Sequence, residues 1–450
     1  MISMKLSEVA ESLQTAYVGQ DTEFVGCNTD SRRMHPGELF IALKGERFDG
    51  HDFIKDACEH GACAAIVEKS DNEMLPMIVV KDTRSAMGSL AQHWRSRFAI
   101  PLVAITGSNG KTTVKEMLTA ILRLQAPVLA TQGNMNNEIG VPLTLFGLDK
   151  EHCYAIVEMG ANHPGEIAWL GRIAQPTVAL ITQCAPAHLE GFESIDGVAK
   201  AKAEIYESLD TEGVAIINAD DDYADLWRDR VKGLCQLSFG LEKSADVIAK
   251  SIHQSISSGT TDFVLSSSLG ELNITLPLLG RHNVLNALAA AACSICLEID
   301  PVLIKRGLEN VGTVQSRLEF KPGLHNSQII DDTYNANPAS LNAAISVLSG
   351  FQGKRWLVLG DMGELGSDEE SLHGDVGETA RTAGIERLYA IGILSHAAVE
   401  SFGSGAQHFQ DIDQLVTSLR SEIGDDVTVL VKGSRAMHME RVVKALEGGK

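Results

Sequence analysis

The sequence predicts an α/β protein made of three consecutive units, and three observations carry that expectation. Short apolar runs of strand length alternate with longer stretches of helical periodicity over most of the chain. The 450 residues exceed what one ordinary core supports, so two to four domains are expected. One Gly-rich loop joins an apolar run to a helical stretch, the arrangement of a phosphate-binding unit.

Residues 1–99 read as a small α/β unit. Leu39-Phe40-Ile41-Ala42-Leu43, Ala64-Ala65-Ile66-Val67 and Met77-Ile78-Val79-Val80 are buried-type strands, and Ser85–Arg97 is helical. Residues 100–315 form the second unit. Its first strand is Leu102–Thr106, its first helix Lys111–Leu124, and further strands fall at Tyr154–Glu158, Val178–Thr182 and Val214–Asn218. Helices between these strands imply βαβ units and a mostly parallel sheet. Ala245 to Pro277 is rich in Ser, Thr and β-branched residues and suits an antiparallel insertion, after which Asn283–Ile299 returns to helix. Residues 316–450 are again doubly wound, with strands at Gln328–Asp331, Trp356–Leu359, Leu388–Ile391 and Val427–Val431 and helices including Ala339–Leu348 and Ile412–Ile423. This third unit is Rossmann-like but lacks G-x-G-x-x-G after its first strand, so a dinucleotide is not its expected ligand.

Composition narrows the function. A net charge of −21 argues against a nucleic-acid or membrane-surface binder, which needs a basic face. An anionic small molecule is still allowed, because a few N–H groups and cations suffice to hold phosphate. No segment approaches the ~20 apolar residues of a membrane span, and the N-terminus lacks a signal core, so a cytoplasmic place is expected. The eight Cys are scattered. Cys293 and Cys296 form a C-x-x-C inside an Ala-rich helical run with no second pair nearby, which reads as helix packing.

The loop Gly107-Ser108-Asn109-Gly110-Lys111-Thr112-Thr113 is the strongest local signal. N–H groups at a helix start face outward and favour anions, and the helix dipole adds to this. Lys111 is placed to reach β- and γ-phosphates and the Thr112 hydroxyl to bind Mg²⁺. The strict Walker pattern would have Gly where this chain has Ile105. No Asn-Lys-x-Asp guanine-reading motif is present, which disfavours a nucleotide switch.

Thr106-Gly107-Ser108-Asn109-Gly110-Lys111-Thr112 closely resembles the ATP loop of the Mur ligase family. Further similarities follow in the family's order: Glu158 in Val-Glu-Met-Gly, His188 in Ala-His-Leu-Glu, Lys202 in Ala-Lys-Ala-Glu, Gly280-Arg281-His282-Asn283 with Asn286, Arg317-Leu318-Glu319, and Asp332 in the run Asp331 to Pro338. Within the family, four stretches resemble the branch that adds D-alanyl-D-alanine to UDP-N-acetylmuramoyl-tripeptide. They are Thr29-Asp30-Ser31-Arg32 with Leu39–Phe53, Gly133 to Pro142, Gly360 to Gly366, and Lys432 to Met437. The Asp-Asn-Pro-Arg tetrapeptide of the diamino-acid-adding sibling is absent.

The resemblance implies three domains: one for the UDP-sugar peptide, a central ATPase, and a Rossmann-like domain for the incoming dipeptide. It implies ATP and Mg²⁺, with the substrate carboxylate phosphorylated before the amine attacks. Lys111, Lys202, His188 and Arg317 are then the expected catalytic residues. Thr112, Glu158, His188 and Lys202, the last as a carbamate, are the expected metal ligands. Residues Gly107 to Thr113 with Asn283, Asn286, Arg317 and Asp332 would hold the nucleotide, although an N-capping role for Asn283 is open. Asp30, Ser31, Arg32 and Lys44 are expected to hold the uridine diphosphate, and Asn136 and Asn137 to contact substrate near the edge of the second domain. Asp361 and Glu364 are open to two readings, dipeptide binding or loop shaping. A monomer is expected. A sibling or folylpolyglutamate-type ligase adding one amino acid is the nearest alternative.

Overall fold

A computed structural model of the protein describes residues 1–69, 74–187 and 189–448. The expected alternation appears as three sheets flanked by helices, one in each third of the chain, with a small two-stranded ribbon beside the first.

The first sheet has five strands in the order Tyr17–Val18, Met77–Val79, Ala64–Val67, Leu39–Ile41 and Cys27–Asn28. Tyr17–Val18 is the antiparallel edge and the other pairings are parallel. The second sheet has nine strands. Leu102–Thr106 is third from one edge, between Val178–Ile181 and Tyr154–Glu158, and pairs in parallel with both. All five of its residues are buried, as a run without polar alternation requires in a parallel sheet covered on both faces. The antiparallel insertion is present as Val247–Ser255, Thr260–Ser267 and Gly270–Leu276. It extends the main sheet, because Val247–Ser255 pairs in parallel with Cys235–Gly240. The third sheet has six strands, five of them parallel, with Val427–Lys432 between Gln328–Asp332 and Lys354–Gly360. Glu319–Pro322 adds an antiparallel edge.

The first and second units share a core. Helix Thr83–Arg95 buries Leu90, Ala91 and Trp94 in the same apolar cluster as Val141, Leu145, Ile167 and Leu170 of the second unit. Its final residue, Arg95, is 4% exposed and donates to the carbonyls of Ala174, Ile100, Gln175 and Phe98. A buried guanidinium satisfied wholly by backbone carbonyls clamps the chain on both sides of the junction.

The third unit is reached through Gly312, Thr313 and Gln315, which are exposed. The next turn is strained: Ser316 and Leu318, on either side of Arg317, have left-handed φ values of 56° and 48°. Hydrogen bonds hold them there. Ser316 N–H donates to the Glu319 carboxylate at 3.1 Å, Leu318 N–H to Asp332 Oδ1 at 3.2 Å, and Tyr334 N–H to the Ser316 carbonyl at 3.1 Å. No helix among the described residues is long and apolar enough to cross a membrane.

Candidate active site

Open parallel sheets bind ligands beyond the carboxyl ends of their strands. Here that edge opens into a cleft of about 800 Å³ between the second and third units, with Glu46 of the first unit also on its wall.

The phosphate loop is its floor. Gly107 and Gly110 have φ of 148° and 83°, and a Cβ on either would run into Thr182 Oγ1 or Asn286 Oδ1 respectively. Ser108 fastens the loop to the neighbouring segment. Its N–H donates to the Gln183 carbonyl at 2.8 Å, its hydroxyl donates to the Ala185 carbonyl at 2.9 Å and accepts from Ala185 N–H at 3.0 Å. Helix Lys111–Leu122 then begins, with the unpaired N–H groups of its first turn at the cleft. Lys111 Nζ folds over the loop to the Gly107 carbonyl at 2.7 Å. Enclosure in the cleft and the nearby Arg317 charge lower its pKa, against the pull of Glu158.

Glu158 ends the adjacent strand, opposite Ile105 in the pairing, and is 2% exposed. Oε2 accepts from the Thr112 hydroxyl at 3.0 Å and Oε1 from the Asn136 amide at 2.8 Å. Its N–H donates to Thr131 Oγ1 at 3.0 Å. Among the described residues no cation forms an ion pair with it. A buried carboxylate with only neutral donors beside a hydroxyl is a hard-oxygen pair that fits Mg²⁺. Asn136 therefore sits against this carboxylate. Asn137 accepts from Ile139 and Gly140 N–H at the start of helix Gly140–Phe146, and both asparagines line the cleft.

Lys202, on helix Ile195–Ala203, is 3% exposed and faces the same cleft. Burial, reinforced by the Lys111 charge, lowers its pKa to about 7. His188 lies outside the described residues. Its neighbour Ala187 lines the cleft, and Leu189 N–H donates to the Glu364 carbonyl of the third unit at 2.9 Å.

Asn283 and Asn286 stand one turn apart near the start of helix Arg281–Cys296. Asn283 does not cap it. Gly280 holds that position, and the Asn283 amide reaches back to the Leu279 carbonyl at 2.8 Å. The Asn286 amide donates to Asn283 Oδ1 at 3.2 Å while its own Oδ1 packs on Gly110. His282 lies between them and the third unit. Burial and the Lys432 charge push its pKa down to about 4, so the ring is neutral near pH 7.

The third unit supplies the roof. Arg317 donates to Thr112 Oγ1 at 3.2 Å, and its guanidinium lies 4.1 Å over the Tyr334 ring. Asp332, at the end of strand Gln328–Asp332, receives Lys432 Nζ at 2.5 Å on the oxygen not used by Leu318. Burial pushes the Asp332 carboxyl up, while Lys432 and Arg317 pull it down. Asp361 shapes its loop, accepting Ser395 N–H at 2.8 Å.

The first-unit candidates lie elsewhere. Asp30 accepts from the Arg32 N–H at 3.1 Å and pairs with its guanidinium at 2.9 Å, Ser31 begins the short turn that follows Asp30, and the Lys44 backbone pairs with that of Asp49 in an isolated antiparallel bridge. None of the four lines the cleft. Sequence reasoning gave no role to Thr131, Thr182, His282, Tyr334, Asn337 and Lys432, although His282, Tyr334, Asn337 and Lys432 lie inside stretches on which the resemblance rests. Asn337 also carried a signal of its own: Asn before Pro338 and a helical stretch marks a helix start.

Comparison with known proteins gives consistent matches. The description "Mur ligase family, catalytic domain" matches residues 23–95, "Mur ligase middle domain" residues 105–294, and "Mur ligase, glutamate ligase domain" residues 316–435. The chain is 45% identical over 450 residues to the UDP-N-acetylmuramoyl-tripeptide–D-alanyl-D-alanine ligase of Escherichia coli (strain K12), with 99% of each chain covered. A crystal structure of MurF from Acinetobacter baumannii superposes with a TM-score of 0.94 at 37% identity, covering 98% of each chain. The MurF ligase of Thermotoga maritima, solved in complex with ADP, gives a TM-score of 0.83 at 29% identity, covering 93% of this chain and 96% of that one. Its three-unit architecture, the phosphate-loop cleft and these matches along the whole length show that the chain belongs to the Mur ligase family.

Proposed function

We propose that the protein is the ATP-dependent ligase that joins D-alanyl-D-alanine to UDP-N-acetylmuramoyl-tripeptide, in peptidoglycan precursor synthesis in the cytoplasm, releasing ADP and phosphate. The observation that carries this reading is the meeting of Arg317 with Thr112 across the cleft, since it brings a third-domain cation to the phosphate loop. Relatives of that name along the full length support the same substrates.

We place the domain boundaries after residues 99 and 315. The first domain, through Asp30, Ser31, Arg32 and Lys44, holds the uridine diphosphate, and the long substrate extends its peptide carboxylate past Glu46 into the cleft. The third domain receives the dipeptide. A carboxylate does not react with an amine at neutral pH, so the γ-phosphate is first transferred to it, and the amine then attacks the acyl phosphate.

Lys111 and Arg317 offset the repulsion between phosphate and carboxylate and stabilise charge that develops in transfer. The first-turn N–H groups and Ser108 to Thr113 hold the phosphates, Asn283 and Asn286 the adenine, and Asp332 the ribose. Thr112, Glu158, His188 and Lys202 would hold Mg²⁺, which supplies further neutralisation of the phosphate charge. A lysine with a pKa near 7 keeps a large fraction of free amine at neutral pH, so it can add to CO₂, forming an N–C bond and releasing a proton. The resulting carbamate turns Lys202 from a cation into an oxygen ligand. Docking of the third domain excludes water from the acyl phosphate.

Phosphate release tests the reading. It should require ATP, the UDP-tripeptide and D-alanyl-D-alanine together. Full-rate release without either acceptor or dipeptide would reject it, and turnover with a single amino acid in place of the dipeptide would favour a sibling ligase. Both lysine- and diaminopimelate-containing tripeptides should be supplied.

A further inference from the structure

One contact between the phosphate loop and the third domain is not accounted for by the chemistry above. Asn337 Nδ2 donates to Asn109 Oδ1 at 2.8 Å, and Asn109 Nδ2 donates back to Asn337 Oδ1 at 3.3 Å. Primary amides carry donor and acceptor side by side, so two of them pair head to tail only when both planes and both backbones are correctly placed. Each partner here is fixed by its own domain.

Asn337 is the N-cap of helix Pro338–Ser349. Its Oδ1 accepts Ser340 N–H at 2.9 Å and its N–H donates to Ser340 Oγ at 3.1 Å, closing a capping box. The cap sets the side-chain orientation and leaves the NH₂ aimed at the loop. Asn109 is fixed from the other side, where the Thr182 hydroxyl donates to its carbonyl at 2.5 Å and the adjacent Ser108 is tied to Ala185. The pair is thus made only when a helix terminus of the third domain meets the loop in register. Tyr334 and Arg317 come from the same wall, so the register that seats Asn337 also brings Arg317 to Thr112.

We propose that Asn109 and Asn337 form a positioning clasp, through which docking of the third domain and nucleotide binding by the loop strengthen one another. This rests on the ligase reading above. Both residues line the cleft, and the loop backbone at Asn109 belongs to the phosphate cradle, but their side chains are engaged with each other. They act through the loop and Arg317, and linkage makes the effect mutual: what favours docking tightens nucleotide, and nucleotide favours docking.

The test is a double-mutant cycle on the full-length protein: wild type, Asn109→Ala, Asn337→Ser and the double variant. KM for ATP, kcat and Tm are measured with both other substrates saturating. Ser retains a capping oxygen but is too short to reach Asn109, so Asn337→Ser should leave Tm close to wild type. KM for ATP should rise about tenfold in each single variant, and the double variant should be no worse than the poorer single one, since ~1.4 kcal/mol of coupling corresponds to a tenfold loss made once. Multiplying effects, or an unchanged KM in Asn337→Ser, would overturn the clasp. If Asn337→Ser lowers Tm markedly, Asn337→Asp replaces it, because Asp caps equally well but sets a carboxylate against Asn109 Oδ1; it should raise KM, and wild-type KM would overturn the proposal. Failure of the ligase reading is separate, because it shows in the wild type as phosphate release that ignores the acceptor or the dipeptide.

Discussion

Lys202 is buried, faces another lysine across the cleft, and titrates near pH 7. Its folded pKa lies below the ordinary 10.5, so the unfolded chain binds the proton more tightly between those values. Stability in CO₂-free buffer should therefore rise with pH from about 7 to about 10, and Lys202→Met should remove part of that slope in thermal melts. A melt slope identical in the two proteins would contradict the burial of a lone amine. The proton and CO₂ compete for the same lone pair, so activity should fall on the acid side of pH 7, and ¹³C-bicarbonate should give a carbamate resonance that Lys202→Met lacks. Lys111→Ala should lower kcat at least ~100-fold by removing charge stabilisation at the transferring phosphoryl group. Near-normal turnover would mean that the loop is not where transfer occurs. Both lysines were legible from their motifs. Their surroundings were not, because the groups that shift and orient them come from distant segments: Lys111 acts on Lys202, and Arg317 is propped by Tyr334.

Among elements, strands were read best where an apolar run stands between polar neighbours. Ala64–Val67, Leu102–Thr106, Tyr154–Glu158 and Val214–Asn218 occur with the expected limits. Cys235–Gly240 was missed because its first residues are exposed and polar in part, and Val128–Ala130 because three residues carry no period. Helix Arg281–Cys296 begins two residues earlier than periodicity suggested, since Gly280 and not Asn283 is its cap. The cleft floor depends on one backbone conformation in this layer. Gly110→Ala should impair nucleotide binding at least tenfold, because φ there is 83° and the added methyl meets Asn286. Calorimetric titration with ADP would measure it, and unaltered affinity would show that the loop adapts.

At the scale of the molecule, the joints differ in kind. The first two domains share one extensive apolar core and the Arg95 clamp, whereas the third keeps a core of its own, against which only Leu279 and Ile256 of the second are seen to pack among the described residues, and meets the cleft through polar side chains. Arg95→Met should cost about 3 kcal/mol, leaving several buried carbonyls without a donor, and should appear as a lower denaturation midpoint for the first two domains together. Three units, their order and the central phosphate loop were legible from alternation and motif. The shared core was not, since nothing local in Thr83–Arg95 says which sheet it covers. Protease nicking at the exposed Gly312, Thr313 and Gln315 should slow when nucleotide is bound; cleavage indifferent to nucleotide would separate docking from ligand.

The left-handed turn around Arg317 bears on how such a joint works. The bonds described for Ser316 and Leu318 come from Glu319, Asp331, Asp332 and Tyr334, all carried by the third domain itself, and Arg317 N–H adds one to the Val314 carbonyl just upstream. The arginine is therefore aimed before the domain arrives, like a key already cut. The pivot must lie upstream of that bond, around the exposed Gly312 and Thr313. Lengthening that tether changes how often the key finds the lock but leaves its teeth unaltered.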